Sequence, residues 1–188
     1  LRLSSKTDRP RGGLINDSSS VLLGTHCDLT GPRLTNDIFR HGELIREINK
    51  TLTRTLKGHP FRWSSLLIEV NSVSPIRSLS FASGPVVSFA YGKHSGFAVV
   101  SDVPLDSKTL VLHAPSCDIV LTTFSGYRVT VTACWHRATG LLPTALQETL
   151  VAQGFALSCA SASLRDGVAL SAVVAHTGGR EGDTQDNT

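Results

Sequence analysis

Four cysteines and seven histidines are the side chains in this 188-residue sequence best suited to chemistry. His113-x-x-x-Cys117 and Cys134-x-His136 pair imidazole with thiolate, and a zinc ion would need all four to converge tetrahedrally. Cys134 and His136 are two residues apart in an alternating stretch, so they share a strand face. No C-x-x-C pair is present, and surface histidines with core thiols account for the same residues. Four cysteines also allow two disulfides, in three pairings, for an exported chain. Asn16-Asp17-Ser18 and Asn49-Lys50-Thr51 have the form of glycosylation acceptors.

His94-Ser95-Gly96 with Asp102 or Asp118 supplies the residue types of a nucleophile, a base and an orienting carboxylate. No G-x-S-x-G elbow, P-loop, dinucleotide fingerprint, H-E-x-x-H or EF-hand loop accompanies them. The sequence therefore leans away from an enzyme and implies no cofactor. A different chemistry is offered by Arg46, Lys50, Arg54 and Lys57, which recur at helical spacing, with Arg62 and Trp63 just beyond. Residues 2–63 hold eleven Lys or Arg against six Asp or Glu, and the remainder seven against nine. Such asymmetry attracts phosphate backbones. Glu43 and Glu47 can pair with Arg46 and Lys50, which would make the row a solvated helix face instead.

The elements that position these groups follow from periodicity. Ile38, His41, Ile45, Ile48, Leu52 and Leu56 form one apolar stripe of a helix over about 36–57, with Thr35, Asn36 or Asp37 able to cap it. Gly58 and Pro60 end it. Residues 21–23 suggest a short strand broken by Thr30-Gly31-Pro32. From 61 to 120 the sequence reads as short strands near 66–70, 79–81, 86–90, 97–100 and 109–112. The 86–91 and 97–100 runs read as a hairpin around His94. Tyr127, Val129, Val131, Ala133 and Trp135 alternate with Arg128, Thr130, Thr132, Cys134 and His136, giving a strand with a buried face and a wetter one. A second helix over about 141–153 has Pro143 in its first turn and Leu142, Ala145, Leu146 and Leu150 inward, with Gly154 as its stop. Residues 155–164 and 168–175 flank Arg165-Asp166-Gly167, a hairpin signal.

Gly140-Leu141-Leu142 and Leu150-Val151-Ala152-Gln153-Gly154-Phe155 give residues 126–176 a resemblance to ACT-like domains, especially those appended to plant bHLH transcription factors. The resemblance implies a β-α-β-β unit that dimerises or binds a small effector. The final helix and strand of a complete ACT unit are replaced by a polar tail, and no bHLH basic region precedes it.

The expected architecture is α+β, a mainly antiparallel sheet with both helices on one face. Residues 1–20 read as a flexible basic, Ser-rich arm, 21–176 as a single domain and 177–188 as a disordered polar tail. Charged residues make up 18% and hydrophobic ones 40%, enough for a real core. Methionine is absent, which reads as a processed or excised piece. No apolar run approaches the roughly 20 residues of a membrane span, so a soluble chain with no membrane partner is expected, inside a cell or organelle rather than secreted. The expected role is a non-catalytic protein-interaction or dimerisation module, or a subunit of a larger assembly. The alternatives are a protein associated with RNA or DNA through the basic helix, and a secreted or viral disulfide-bonded binding protein.

Overall fold

A computed structural model describes residues 19–72, 79–95, 98–100, 103–105, 109–116, 119–121, 124–158 and 174–176. Seven strands form the main sheet: β1 (Ser19–Asp28), β2 (Gly31–Leu34), β3 (Ser65–Val70), β4 (Ala82–Tyr91), β8 (Thr109–His113), β11 (Val129–His136) and β12 (Val174–His176). Their order is β12-β8-β4-β11-β3-β1-β2, with every neighbouring pair antiparallel. Two short ladders stand beside it. One joins β5 (His94–Ser95) to β10 (Ser125–Gly126), and the other sets β6 (Ala98–Val100) between β7 (Val103–Pro104) and β9 (Ile119–Leu121). The architecture is α+β with a sheet-dominated core.

The helical stripe folds as α1 (Asp37–Arg40) and α2 (Gly42–Thr55), interrupted at His41. Ile38, Ile45, Ile48, Leu52 and Leu56 are buried against Leu23, Leu66, Ile68, Val87, Phe89, Val131 and Ala133 of the sheet. Burying each large aliphatic side chain contributes about 2 kcal/mol, so this stripe rather than helix propensity holds α2 in place. The expected cap is not made. Asn36 occupies the cap position without a side-chain bond, and the Thr35 hydroxyl instead accepts the N–H of Gly24 at 3.1 Å. A 3-10 turn (Thr139–Leu141) leads through Pro143 to α3 (Thr144–Ala152). There Leu142 and Leu150 are buried and Leu146 partly so, while Ala145 is exposed. Gly154 (φ +85°) ends α3 in a Schellman motif: Phe155 N–H bonds Leu150 O at 3.1 Å, and Gly154 N–H bonds Val151 O at 2.8 Å. Both helical regions lie on one sheet face, as the sequence implies.

Several local expectations give way to non-local pairing. Thr30-Gly31-Pro32 does not break β1 but turns it. The Asp28 carboxylate accepts Thr30 N–H at 2.9 Å and its hydroxyl at 2.7 Å, and β2 returns with Pro32 inside it. Ser83-Gly84-Pro85 lies within β4, near a register irregularity opposite Cys134 and His136. The 86–91 run pairs with β11 and β8 rather than with 97–100. Ser19 and Ser20, expected to end the flexible arm, belong to β1, and 155–158, expected to open a hairpin strand, are not in a strand. Residues 1–18, the Asp166-Gly167 turn and the tail from 177 lie outside the described residues, while β12 pairs with β8.

The second face of β11 is not wet. Arg128, Thr130, Thr132, Cys134 and His136 are all at most 3% exposed. A smaller cluster of Leu79, Val86, Ala90, Leu105, Val111 and Cys134 covers that side. β11 is therefore a central strand buried on both faces, and its Thr132 hydroxyl finds a partner within the sheet in Ser88.

Candidate interaction surfaces and the buried polar layer

Consecutive residues step about 100° around a helix, so Arg46, Lys50 and Arg54 fall within an arc of roughly 80° on the side of α2 opposite its buried stripe, and Lys57 lies in the turn after Thr55. All four are exposed. Arg46 donates to the Gln153 amide oxygen at 3.2 Å, and Lys50 approaches Glu47 at 3.8 Å with both side chains about three-quarters exposed. Arg54 and Lys57 form no ion pair with a described residue. Glu43 in the first turn and Arg54 in the last also match the helix dipole. Arg62 lies on the segment returning from α2 toward β3, its guanidinium 4.7 Å from the centroid of the Trp135 ring.

The β1 edge was not a feature the sequence offered. Thr25 N–H turns toward β3, to Ser64 O at 2.9 Å, while the N–H and C=O of Gly24 turn the opposite way, to Thr35. Alternation puts the backbone polar groups of Leu22 and Ser20 on that same outer edge. Among the described residues no strand pairs with them there. β2 is edge-protected: it has four residues and carries Pro32 and Arg33, the latter in an ion pair with Asp28. Ser19-Ser20-Val21-Leu22-Leu23 has no charge and no proline. An exposed apolar side chain, Phe39, 67% exposed, stands on α1, which packs against β1. Phe39 borders an open cleft of about 630 Å³ lined by His41, Leu44, Arg46 and Gln153 among others.

The proposed metal ligands do not form a set. His113 Nε2 bonds the Ser88 hydroxyl at 2.9 Å, and its Nδ1 bonds Ala114 O at 2.9 Å. A carbonyl partner fixes the proton on Nδ1, so Ser88 donates to Nε2 and Thr132, 3.0 Å from Ser88 Oγ, donates to that oxygen. Burial lowers the pKa of His113 and keeps it neutral. Cys134 is held as a thiol, its pKa pushed up to about 12 by burial. His136 Nδ1 accepts Ala138 N–H at 3.1 Å while the ring stacks on Phe81. Cys117 lies outside the described residues, and no group of three potential ligands occurs among those described. The Ser88–His113 pair has the contact of a nucleophile and its base, but Ser88 is fully buried and the orienting group is a carbonyl. It serves as a structural relay that satisfies polar groups inside the sheet. Of the other triad candidates, His94 and Ser95 lie in the β5–β10 ladder, while Gly96, Asp102 and Asp118 are outside the described residues.

Asn49 is fully buried, accepting Trp63 Nε1–H at 2.8 Å and donating to Gln153 O at 2.8 Å, so the folded chain offers no glycosylation site there. Cys27 and Cys134 are free thiols, one exposed and one buried. Arg128 is 1% exposed and gives Nη2–H to Ser72 O at 2.7 Å, with Phe124 4.1 Å beneath its guanidinium. On the same sheet face, burial raises the Glu69 carboxyl to about 7 against the weaker pull of Arg128, and its Oε2 is buried with no hydrogen-bond partner among the described residues. An acid in the middle of the Leu66-Leu67-Ile68-Glu69-Val70 strand was the available sequence signal for this layer.

No family model matches the chain, and no curated protein matches it. Among the described residues no helix is long and apolar enough to cross a membrane.

Proposed function

We propose that this protein is a non-catalytic interaction module that accepts an extended strand from a protein partner, or from a second copy of itself, along β1. The observation that carries the reading is the outer edge at Ser20 and Leu22, where backbone donors and acceptors lack a strand partner among the described residues and no charge or proline protects them. An added strand would bond these groups through its main chain, and side-chain pockets would set its specificity. Phe39 and its cleft, on the helix next to β1, are suited to that second part. The ACT-like resemblance of residues 126–176 points independently toward self-association.

Ser20→Pro tests the reading. The Ser20 side chain is exposed and its N–H points outward, so proline removes a donor from the free edge while leaving the β3 ladder intact. The wild-type chain is expected to self-associate in a concentration series followed by light scattering, or to retain a partner in crosslinking from its native source. Ser20→Pro should abolish that association with an unchanged circular dichroism spectrum. A strict monomer without a crosslinked partner, or association that survives Ser20→Pro, refutes strand addition.

A further inference from the structure

We infer that the outer face of α2, together with the tyrosine corner at its C-terminal end, is a binding surface for single-stranded nucleic acid. This surface is separate from the β1 edge, and its test does not depend on strand addition.

The charge pattern along α2 is uneven. Both acids, Glu43 and Glu47, lie in its first half, and between Glu47 and Glu69 the chain carries Lys50, Arg54, Lys57 and Arg62 with no acid at all. Lys50 and Arg54 are exposed on one side of the helix, and Lys57, also exposed, follows in the turn after its end. A helix dipole calls for a cation in the last turn, but one cation satisfies it, and the row extends past the helix end to Lys57. Lys50 and Arg54, one turn apart on the helix, are spaced roughly 5–6 Å apart, close to the phosphate spacing of an extended single strand, and Lys57 continues the row beyond them.

What lies at the end of the row distinguishes this surface from a bare basic patch. Burial raises the pKa of the Tyr91 hydroxyl against smaller opposing pulls from Arg54 and Thr51, which puts this end of β4 close to the C-terminal half of α2. Val129 pairs with Tyr91, Tyr127 N–H bonds Lys93 O at 3.0 Å, and Gly126 pairs with His94, so one continuous register runs through this corner. That register sets Tyr91, Tyr127 and Lys93 on the side of the sheet that α2 covers. Tyr91 and Tyr127 are 36% and 43% exposed, and Lys93 is exposed. Diagonal neighbours in a ladder stand roughly 7–8 Å apart, twice the rise of stacked bases, so two splayed bases could stack on the two rings while the cations track the backbone. A duplex keeps its bases stacked inward and could use only the charges. Sequence-independent single-strand recognition is therefore the partner chemistry that fits.

The experiment uses fluorescein-labelled oligo(dT) and oligo(rU) of about 15 nucleotides, with a duplex of equal length, titrated by anisotropy from about 50 mM salt upward. Both single strands should bind more tightly than the duplex, with affinity falling steeply as salt rises. The triple variant Lys50→Gln, Arg54→Gln, Lys57→Gln should lose at least about tenfold in affinity and flatten the salt dependence. Tyr127→Ala should lose about tenfold while keeping the salt slope, because stacking rather than charge is removed. Tyr127 is preferred to Tyr91, whose ring packs edge-on against the buried Phe89 at 5.2 Å. Absence of binding at low salt overturns the proposal. So does a duplex bound as tightly as the single strands with no effect of Tyr127→Ala, which would leave a general polyanion patch. Undiminished binding by the triple variant would place the contact elsewhere and equally refute it.

Discussion

Beneath α2, Leu23, Leu66, Ile68, Val87, Phe89, Val131 and Ala133 pack with helix side chains in one apolar cluster, whereas on the reverse of the same strands Ser88, Thr132 and His113 sit among Val86, Ala90 and Val111 and bond one another. The first face is held by volume and area, which are non-directional and nearly additive. The second is held by a chain of directed bonds in which each hydroxyl depends on its neighbour, so a single deletion leaves a buried group unpaired. One sheet thus combines a tolerant face with an exacting one.

The largest effect should come from the apolar side. Leu52 is fully buried, and Leu52→Ala should cost about 2–5 kcal/mol in denaturant unfolding, the lost transfer energy plus the cavity. On the exacting side Ser88→Ala removes only one oxygen yet should cost about 1–3 kcal/mol, since His113 Nε2 and the Thr132 hydroxyl both lose their partner. A double-mutant cycle of Ser88→Ala with Thr132→Val should show coupling above about 0.5 kcal/mol, while Leu52→Ala with Val111→Ala, on opposite faces, should add within that value. Equal additivity in both cycles would erase the distinction between the faces.

The smallest effect should be one of pH. Burial holds the Glu69 carboxyl at about 7 against its ordinary value of 4.5, so between those values the folded chain keeps a proton that the unfolded chain releases. Stability is therefore greatest below about 4.5 in this contribution and falls as pH rises to about 7. For a partly exposed side chain screened by solvent, the loss should be about 1–2 kcal/mol. Thermal melting at several pH values should show it, and Glu69→Gln should flatten this component. An unchanged pH profile in Glu69→Gln would mean that the carboxyl is solvated like any surface acid.

The tolerant face was legible in the sequence, because Ile38, Ile45, Ile48, Leu52 and the alternation of Val129, Val131 and Ala133 are local apolar patterns that burial preserves. The exacting face was not. Thr130, Thr132 and His136 have the composition of a solvated strand face, and only the cover supplied by Leu79 and Leu105 makes them interior. Strand pairing was hidden for a similar reason. The 86–91 and 97–100 runs are adjacent in sequence, but the better partner of β4 is β11, some forty residues later. The basic row on α2 was readable residue by residue. Its tyrosine corner was not, since Tyr91 and Tyr127 meet only through the β4–β11 register.

β11 carries a further implication for how the molecule is made. β3 and β4 follow one another in the chain, yet the folded sheet holds them apart with β11 between them. A ribosome delivers β3 and β4 well before Val129–His136, at a pace of about 5–20 residues per second. During those seconds the two strands present bare edges to each other, and a pairing between them would have to be undone before β11 could enter. The keystone of this sheet arrives late, and until it comes the centre of the nascent sheet lacks its native partner.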